Sequence, residues 1–237
     1  MYYYGFDPTY ILVLIGVVIT MMASSRMTST FARYSRERSM SGLTGREVAL
    51  RILHANGIYD VSVNPVAGQL TDHYDPRNRT VNLSEVIYNS TSIAAVGVAA
   101  HECGHAIQDN VGYFPLRLRA AIVPVANLGS KLSWPLILVG FLLAQGGSVF
   151  GYQLVQIGIM AFSLAVLFQI VTLPVELDAS GRALRQLNDT GILPPQEIGS
   201  ARKVLGAAAL TYVAAAASSL LQLLRLVILF GGNRRRD

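Results

Sequence analysis

Charged residues are scarce in this sequence, and the scarcity is uneven along the chain. Asp, Glu, Lys and Arg make up 14% of the 237 residues, whereas hydrophobic residues make up 52% and the mean hydropathy is +0.42. Residues 132–173 contain no Asp, Glu, Lys, Arg or His. Such a composition is apolar for a soluble protein, and uncharged runs of about 20 residues are typical of transmembrane helices. The sequence therefore predicts several membrane spans together with a modest globular part.

Cysteine and acidic residues are also few, and each shortage excludes a class of protein. The single cysteine, Cys103, excludes an internal disulfide and fits a reducing compartment. Lys and Arg outnumber Asp and Glu by 19 to 14, which gives a net charge of +5. These basic residues flank the apolar runs and form no nucleic-acid-binding motif. We therefore expect the lipid bilayer as a partner and no nucleic acid.

The N-terminal residues 5–25 predict an uncleaved transmembrane anchor. The uncharged run 10–25 follows aromatic residues suited to a membrane interface, namely Tyr2, Tyr3, Tyr4 and Phe6. A cleaved signal peptide would carry positive charge before the run, and none is present. Arginines follow the run, at Arg26, Arg33, Arg36, Arg38, Arg46 and Arg51. The positive-inside rule then predicts an N-terminus outside the cell and a cytosolic chain from about residue 26.

Residues 26–119 mix charge with apolar periodicity and predict a cytosolic globular domain. Thr44 and Glu47 form a capping box that opens a helix. Two short strands are predicted on either side of a turn-rich stretch, at 61–63 and 80–83 around residues 72–78. The second strand is also a candidate for binding extended substrate by edge pairing. A further helix is predicted from about residue 92 to 109, with Ser90 or Thr91 as its N-cap.

The second half of the chain predicts a membrane hairpin and a further apolar segment. Residues 120–173 comprise a broken stretch at the interface and a two-span hairpin, with 146–148 as its outer turn. Residues 174–203 are polar, and residues 204–230 form a last apolar helix. If this helix spans fully, the arginine tail 234–236 lies outside, against the positive-inside rule. The sequence leaves the path of this segment open.

The helix predicted over residues 92–109 carries a candidate zinc site. Histidines at i and i+4 project from one helical face, so His101 and His105 can reach one ion. Glu102 leaves the helix about 100° from His101, which allows its carboxylate to act as a general base. Hydrolysis by zinc requires three protein ligands, an open position and such a base. The sequence supplies two ligands and the base within five residues.

The third ligand must come from another part of the chain. A metzincin would have a histidine six residues after His105, but Val111 occupies that position. The candidates among the downstream carboxylates are Glu176, Asp178, Asp189 and Glu197. Glu176 and Asp178 both follow directly on a two-span hairpin that returns the chain to its starting side, and the sequence favours Glu176 of the two. Ser180 at i+4 is a possible hydrogen-bonding partner of this ligand, and Asp178 stays open as the alternative.

Three stretches resemble the bacterial neutral zinc metallopeptidases of the YugP type. They are GQLTDHYDP at 68–76, VAAHECGHAIQ at 98–108 and TLPVELDAS at 172–180. That family is similar in plan to the HtpX and Ste24 group, in which a Glu-x-x-x-Asp helix after a membrane hairpin completes the zinc site. The resemblance implies Glu176 as the third ligand, with Ser180 in place of the aspartate. The competing analogy is with the intramembrane site-2 proteases. Leu177-Asp178 resembles their Leu-Asp-Gly ligand motif, but Ala179 replaces the glycine.

These observations and the resemblance together predict a mostly α membrane protein with a zincin-like domain, a small sheet and about four transmembrane helices. We expect a zinc-dependent endopeptidase that cleaves proteins or peptides, membrane proteins among them, at the cytosolic face of the bacterial inner membrane. The expected ligands are His101, His105 and Glu176, with Glu102 as the catalytic base. The alternative is a non-catalytic zinc-binding scaffold or adaptor, in which protein fills the fourth coordination position. A transporter is disfavoured because the spans contain almost no ionisable residue.

Overall fold

The computed structural model describes residues 7–231, and most of these residues are helical. The described helices are α1 (Tyr10–Tyr34), α2 (Gly45–Ala55), α3 (Glu85–Tyr88), α4 (Ile93–Asn110), α5 (Phe114–Gln145), α6 (Val149–Asp189) and α7 (Pro195–Gly231). The described strands are β1 (Ser62–Val66), β2 (His73–Asp75) and β3 (Thr80–Ser84). The N-terminal aromatic residues and the arginine tail, for which the sequence makes predictions, lie outside the described residues.

The chain divides into two compact units. The apolar unit contains the chain up to Met22, the segment Leu118–Thr172 and the chain from Tyr212 onward. The α/β unit contains Ala23–Arg117 and Leu173–Thr211. The mostly α architecture with one small sheet confirms the predicted fold class.

Four helices, α1, α5, α6 and α7, are each long and apolar enough to cross a membrane. Large apolar side chains along them are exposed, as expected for surfaces that face lipid, for example Leu14, Leu138 and Leu224. The prediction of about four spans is confirmed in this sense. The last apolar segment, whose path the sequence leaves open, belongs to one of these four helices, since α7 passes through Gln222 and Arg225 without a break.

Close approach of backbones holds α5 and α6 together within the apolar unit. A Cβ atom added to Gly129 would lie 2.6 Å from the carbonyl oxygen of Ala161, and one added to Gly140 would lie 2.7 Å from the nitrogen of Val155. Small residues at such points allow helices to pack tightly where lipid offers no hydrophobic driving force. Residues 120–131, which the sequence predicts as a broken interfacial stretch, belong to the continuous helix α5.

The ends of α1 and α7 that belong to the apolar unit run antiparallel. Asp7, just before α1, lies 3.4 Å from the guanidinium of Arg225 near the end of α7. Further along, a Cβ added to Gly16 would lie 2.7 Å from the hydroxyl of Ser218. The Arg225 guanidinium also lies 4.2 Å from the centre of the Tyr10 ring. The one charged side chain that interrupts the last apolar segment is therefore paired within this unit.

The α/β unit packs α2, α4 and the sheet around a common core. Its centre consists of fully buried side chains from these elements, such as Ile52, Leu53, Val81, Leu83, Val96 and Ala99. Strand β3 lies between β1, to which it is parallel, and β2, to which it is antiparallel. Because β3 is paired on both sides, the prediction that its edge binds substrate is wrong. Strand β2 lies within the stretch that the sequence predicts as a turn.

Side-chain caps fix where the helices of this unit begin. Thr44 accepts a hydrogen bond from the Glu47 backbone, and the Glu47 carboxylate accepts one from the Thr44 backbone, as the capping box predicts. The N-cap of α4 is Ser92, whose hydroxyl accepts from the backbone of Ala95 at 3.2 Å. Ser90 or Thr91 as the cap of α4 is therefore wrong by one or two residues. Ser90 instead donates to the Ser92 hydroxyl.

Candidate metal centre

Helices α4 and α6 bring three potential metal ligands together in the α/β unit. Nε2 of His101 lies 3.3 Å from Oε2 of Glu176, and Nε2 of His105 lies 3.6 Å from the same oxygen. The two imidazole rings are 4.8 Å apart at an interplanar angle of 85°. Among the described residues these are the three side chains whose ligand atoms converge in a metal-binding arrangement.

The spacing of these atoms fits a zinc ion. Zinc bonds of about 2.0–2.1 Å in tetrahedral geometry place neighbouring ligand atoms roughly 3.3–3.4 Å apart. The distances from Glu176 to the two imidazoles are of this size. Two imidazole nitrogens and a carboxylate oxygen are a donor set typical of catalytic zinc, which leaves a fourth position open.

Gly104 allows α6 to approach α4 closely enough for this geometry. A Cβ atom added to Gly104 would lie 2.5 Å from the carbonyl oxygen of Ala179 and 3.0 Å from its carbonyl carbon. These are backbone atoms, which cannot move aside as a flexible side chain can. Glu176 precedes Ala179 on α6 and Ser180 follows it. The close contact at Ala179 therefore brings both side chains within reach of the histidines.

Ser180 and Gln108 orient the two histidines through their second ring nitrogens. The hydroxyl of Ser180 lies 3.2 Å from Nδ1 of His101. The Gln108 carbonyl oxygen lies 3.0 Å from Nδ1 of His105. Such contacts fix the ring orientation and the tautomer of a metal-ligating histidine. The sequence predicts Ser180 as a partner of Glu176, whereas the structure places its hydroxyl against His101.

The fully buried Gln108 also connects α4 to α6. Its amide nitrogen donates to the carbonyl of Val175 and to the carboxylate of Asp178, both at 2.8 Å. Because the nitrogen is used by these acceptors, the oxygen accepts from Nδ1 of His105 and leaves Nε2 unprotonated for a metal. Sequence reasoning assigned no role to Gln108, although its i+3 position from His105 was an available signal.

Glu102 is buried beside the histidines, with 7% of its surface exposed. Burial raises the pKa of this carboxyl group to about 7; the Glu176 carboxylate acts in the same direction, whereas His101 and the Tyr74 backbone act in the opposite direction. A bound cation would likewise favour the ionised form. The edge strand β2 packs against α4, the helix that carries this predicted catalytic base.

The other candidate carboxylates have different partners. Asp178 accepts from Arg182 at 2.6 Å and from Gln108, and as the second residue after Glu176 it leaves α6 on a different face. Glu197 accepts from the hydroxyl of Ser39 and the backbone of Met40, which ties the start of α7 to the loop after α1. Asp189 lies at the C-terminal end of α6. None of these three joins the cluster of potential ligands described above.

Comparisons with known proteins identify the family of this chain. The model of a family described as "Putative neutral zinc metallopeptidase" matches residues 9–231. The Bacillus subtilis (strain 168) protein named "Putative membrane protease YugP" is 47% identical over 216 residues, which cover 91% of this chain and 93% of that relative. No solved structure matches the chain significantly.

The chain belongs to this family of neutral zinc metallopeptidases, which confirms the resemblance seen in its sequence. Membership together with the four apolar helices identifies an integral membrane protein of a protease family. Zinc is the metal that the family implies, and the convergence of two histidines and a glutamate fits it.

Proposed function

We propose that the protein is a zinc-dependent endopeptidase whose ligands are His101, His105 and Glu176 and whose general base is Glu102. The observation that supports it best is the convergence of both Nε2 atoms on one oxygen of Glu176, 3.3 and 3.6 Å away. A buried carboxylate at the neighbouring position of α4 supplies the base that hydrolysis needs.

The mechanism assigns a distinct task to each side chain. A bound zinc ion supplies Lewis-acid chemistry, which polarises a peptide carbonyl and makes water more acidic. The Glu102 carboxylate accepts the proton of the attacking water and then donates it to the nitrogen of the leaving amine. Ser180 and Gln108 keep His101 and His105 in the orientation that directs their Nε2 atoms to one point. Burial of the site limits the access of bulk solvent.

The edge strand β2 is the best candidate for holding an extended substrate. One side of β2 pairs with β3, and α4, which carries Glu102, packs against β2. A peptide that adds to this free edge would run past the base, since edge strands present unpaired backbone groups. We therefore expect extended or unfolded segments of proteins, including membrane proteins, as substrates.

The order of helices supports a site at the cytosolic face of the inner membrane. The two sequence segments of the α/β unit are separated by α5 and α6. Two spans return the chain to the side from which it started, so both segments lie on one side of the membrane. Most of the Lys and Arg residues fall in these two segments, and the positive-inside rule assigns that side to the cytosol.

Substitution of Glu102 by Gln tests the catalytic proposal directly. The amide cannot accept a proton, so we expect a loss of casein hydrolysis of at least 100-fold, with zinc content unchanged. Glu176→Ala should lose both zinc and activity. Glu85→Gln, an exposed carboxylate on α3, is the matched control and should retain both.

Two outcomes separate this proposal from its rivals. Full proteolysis by the Glu102→Gln variant in detergent would contradict the assigned base. A wild-type protein that binds one zinc ion per chain but cleaves neither casein nor unfolded membrane proteins would favour the non-catalytic scaffold.

A further inference from the structure

A basic groove lies in the α/β unit between the second half of α1 and the first turns of α7. Its volume is about 630 Å³. Four cationic side chains and two hydroxyl groups line it: Arg26, Arg33, Arg202, Lys203, Ser29 and Thr30. The groove does not include the candidate zinc ligands, so its function is separate from the chemistry proposed above.

Most of the positive charge in this groove is not neutralised by the protein. Arg33 forms an ion pair with Glu37 at 3.2 Å. Arg26, Arg202 and Lys203 form no ion pair with an acidic residue of the described chain, and all three are exposed. Several converging cations without acidic partners attract an anion, and Arg binds phosphate groups particularly well.

The position of the groove along both helices coincides with the boundary of their apolar segments. On α1, no charged residue occurs between Asp7 and Arg26. On α7, none occurs between Lys203 and Arg225. The cations therefore stand at the ends of two charge-free segments of membrane-spanning length, which is the depth at which phospholipid headgroups lie.

The lining of the groove changes from charged to apolar along α7. Arg202 and Lys203 are followed by Gly206, Ala207 and Leu210, which also line the groove and begin the charge-free segment. An occupant with a phosphate at one end and a hydrocarbon chain at the other would match both parts. Free inorganic phosphate would use only the cations.

We propose that this groove binds the phosphate headgroup of an anionic phospholipid. The cations contact the phosphate, Ser29 and Thr30 provide additional hydrogen bonds, and the apolar end accommodates the start of an acyl chain. Basic pockets between helices on the cytosolic side are a recognised way of binding anionic headgroups. The proposal depends on the membrane location of the chain and not on its peptidase activity.

Lipid titration of the purified full-length protein in neutral detergent tests this proposal. Native mass spectrometry would give the apparent dissociation constants for dioleoyl phosphatidylglycerol, dioleoyl phosphatidylcholine and inorganic phosphate. We expect phosphatidylglycerol to bind at least tenfold more tightly than either of the others. The triple variant Arg26→Gln/Arg202→Gln/Lys203→Gln should weaken this binding by about 100-fold, since each cation near an anionic headgroup contributes about a fivefold gain.

The matched control is Arg46→Gln/Arg51→Gln/Arg77→Gln, which removes the same charge outside the groove. It should bind phosphatidylglycerol as the wild type does. If both triple variants bind phosphatidylglycerol equally weakly, the loss of binding follows from the change in net charge and not from the groove, and the proposal is overturned. Unchanged binding by the groove variant would also overturn it, and binding of inorganic phosphate as tight as that of the lipid would assign the groove to free phosphate instead. Circular dichroism of both variants checks that they fold.

Discussion

Gln108 shows how a single side chain outside the metal-binding motif shapes the candidate site. It contacts one histidine through its oxygen and two groups of α6 through its nitrogen, and none of its surface is exposed. Loss of this amide would leave the Val175 carbonyl and the Nδ1 proton of His105 without these partners in a buried place. We therefore expect this loss to change the orientation of His105 and to weaken the packing of α6 against α4.

Gln108→Met removes these hydrogen bonds while keeping a side chain of similar length. We expect zinc affinity to fall by about 10–100-fold, as is usual when the hydrogen-bonding partner of a metal-ligating histidine is lost. Competition with a fluorescent chelator measures this change. Gln196→Met, at an exposed position of α7, is the control and should bind zinc as the wild type does. Wild-type zinc affinity in the Gln108 variant would contradict the orienting role.

At the scale of elements, the contact between α4 and α6 determines whether Glu176, the proposed third ligand, reaches the histidines. Glu176 lies on α6, far along the sequence from His101 and His105 on α4. Its distance from the histidines therefore depends on how closely the backbones of α4 and α6 pack. The absence of a side chain at Gly104 permits a contact that would otherwise bring a Cβ to 2.5 Å from a carbonyl oxygen. The distance between the helices is thus part of the chemistry of the site.

Gly104→Ala should force these helices apart. We expect a destabilisation of about 1–3 kcal/mol, typical of overpacking, and a loss of proteolysis of at least tenfold because Glu176 moves away from the histidines. Gly97→Ala is a matched control on the same helix, since its added Cβ has no atom within 4 Å. It should be neutral or slightly stabilising, because alanine favours helix more than glycine does. Thermal unfolding and casein hydrolysis of both variants decide the question.

Sequence reasoning predicted the elements whose signals are local and missed those that depend on tertiary contacts. The spacing of His101 and His105 and the capping box at Thr44 are read within a few residues, and both helices are present. Strand β2 has only three residues, and its pairing with β3 is not visible in a turn-rich stretch. The contacts of Gln108 and Ser180 likewise form only when α6 packs on α4. The hairpin, which the sequence does reveal, favoured Glu176 and Asp178 together, and Ser180 at i+4 favoured Glu176 of the two; its role as a ligand stays a prediction.

At the scale of the whole molecule, the orientation in the membrane is open to a direct test. Cys103 is fully buried, and burial raises the pKa of its thiol, so the native chain should resist thiol reagents. Tyr59→Cys in the α/β unit and Val149→Cys beside the turn between α5 and α6 replace exposed residues, 76% and 73% accessible. In intact cells we expect a membrane-impermeant maleimide to label position 149 only.

Position 59 should become reactive once the membrane is permeabilised, and the unsubstituted chain provides the background. Labelling of position 59 in intact cells would place the candidate metal centre outside the cytosol and contradict the proposed orientation. The division of the sequence into an anchor, a cytosolic domain, a hairpin, a ligand helix and a last apolar helix stays a prediction, which this labelling experiment begins to test.

The separation of Glu176 from the histidine pair has a consequence for biosynthesis. The ribosome synthesises His101, Glu102 and His105 first. Glu176 is added only after α5 and the membrane-spanning part of α6 have been synthesised. A nascent chain that has not yet inserted this hairpin holds two of the three proposed ligands and lacks the third. Under the proposed function, proteolytic activity would therefore begin only after the hairpin has been made and Glu176 has joined the two histidines.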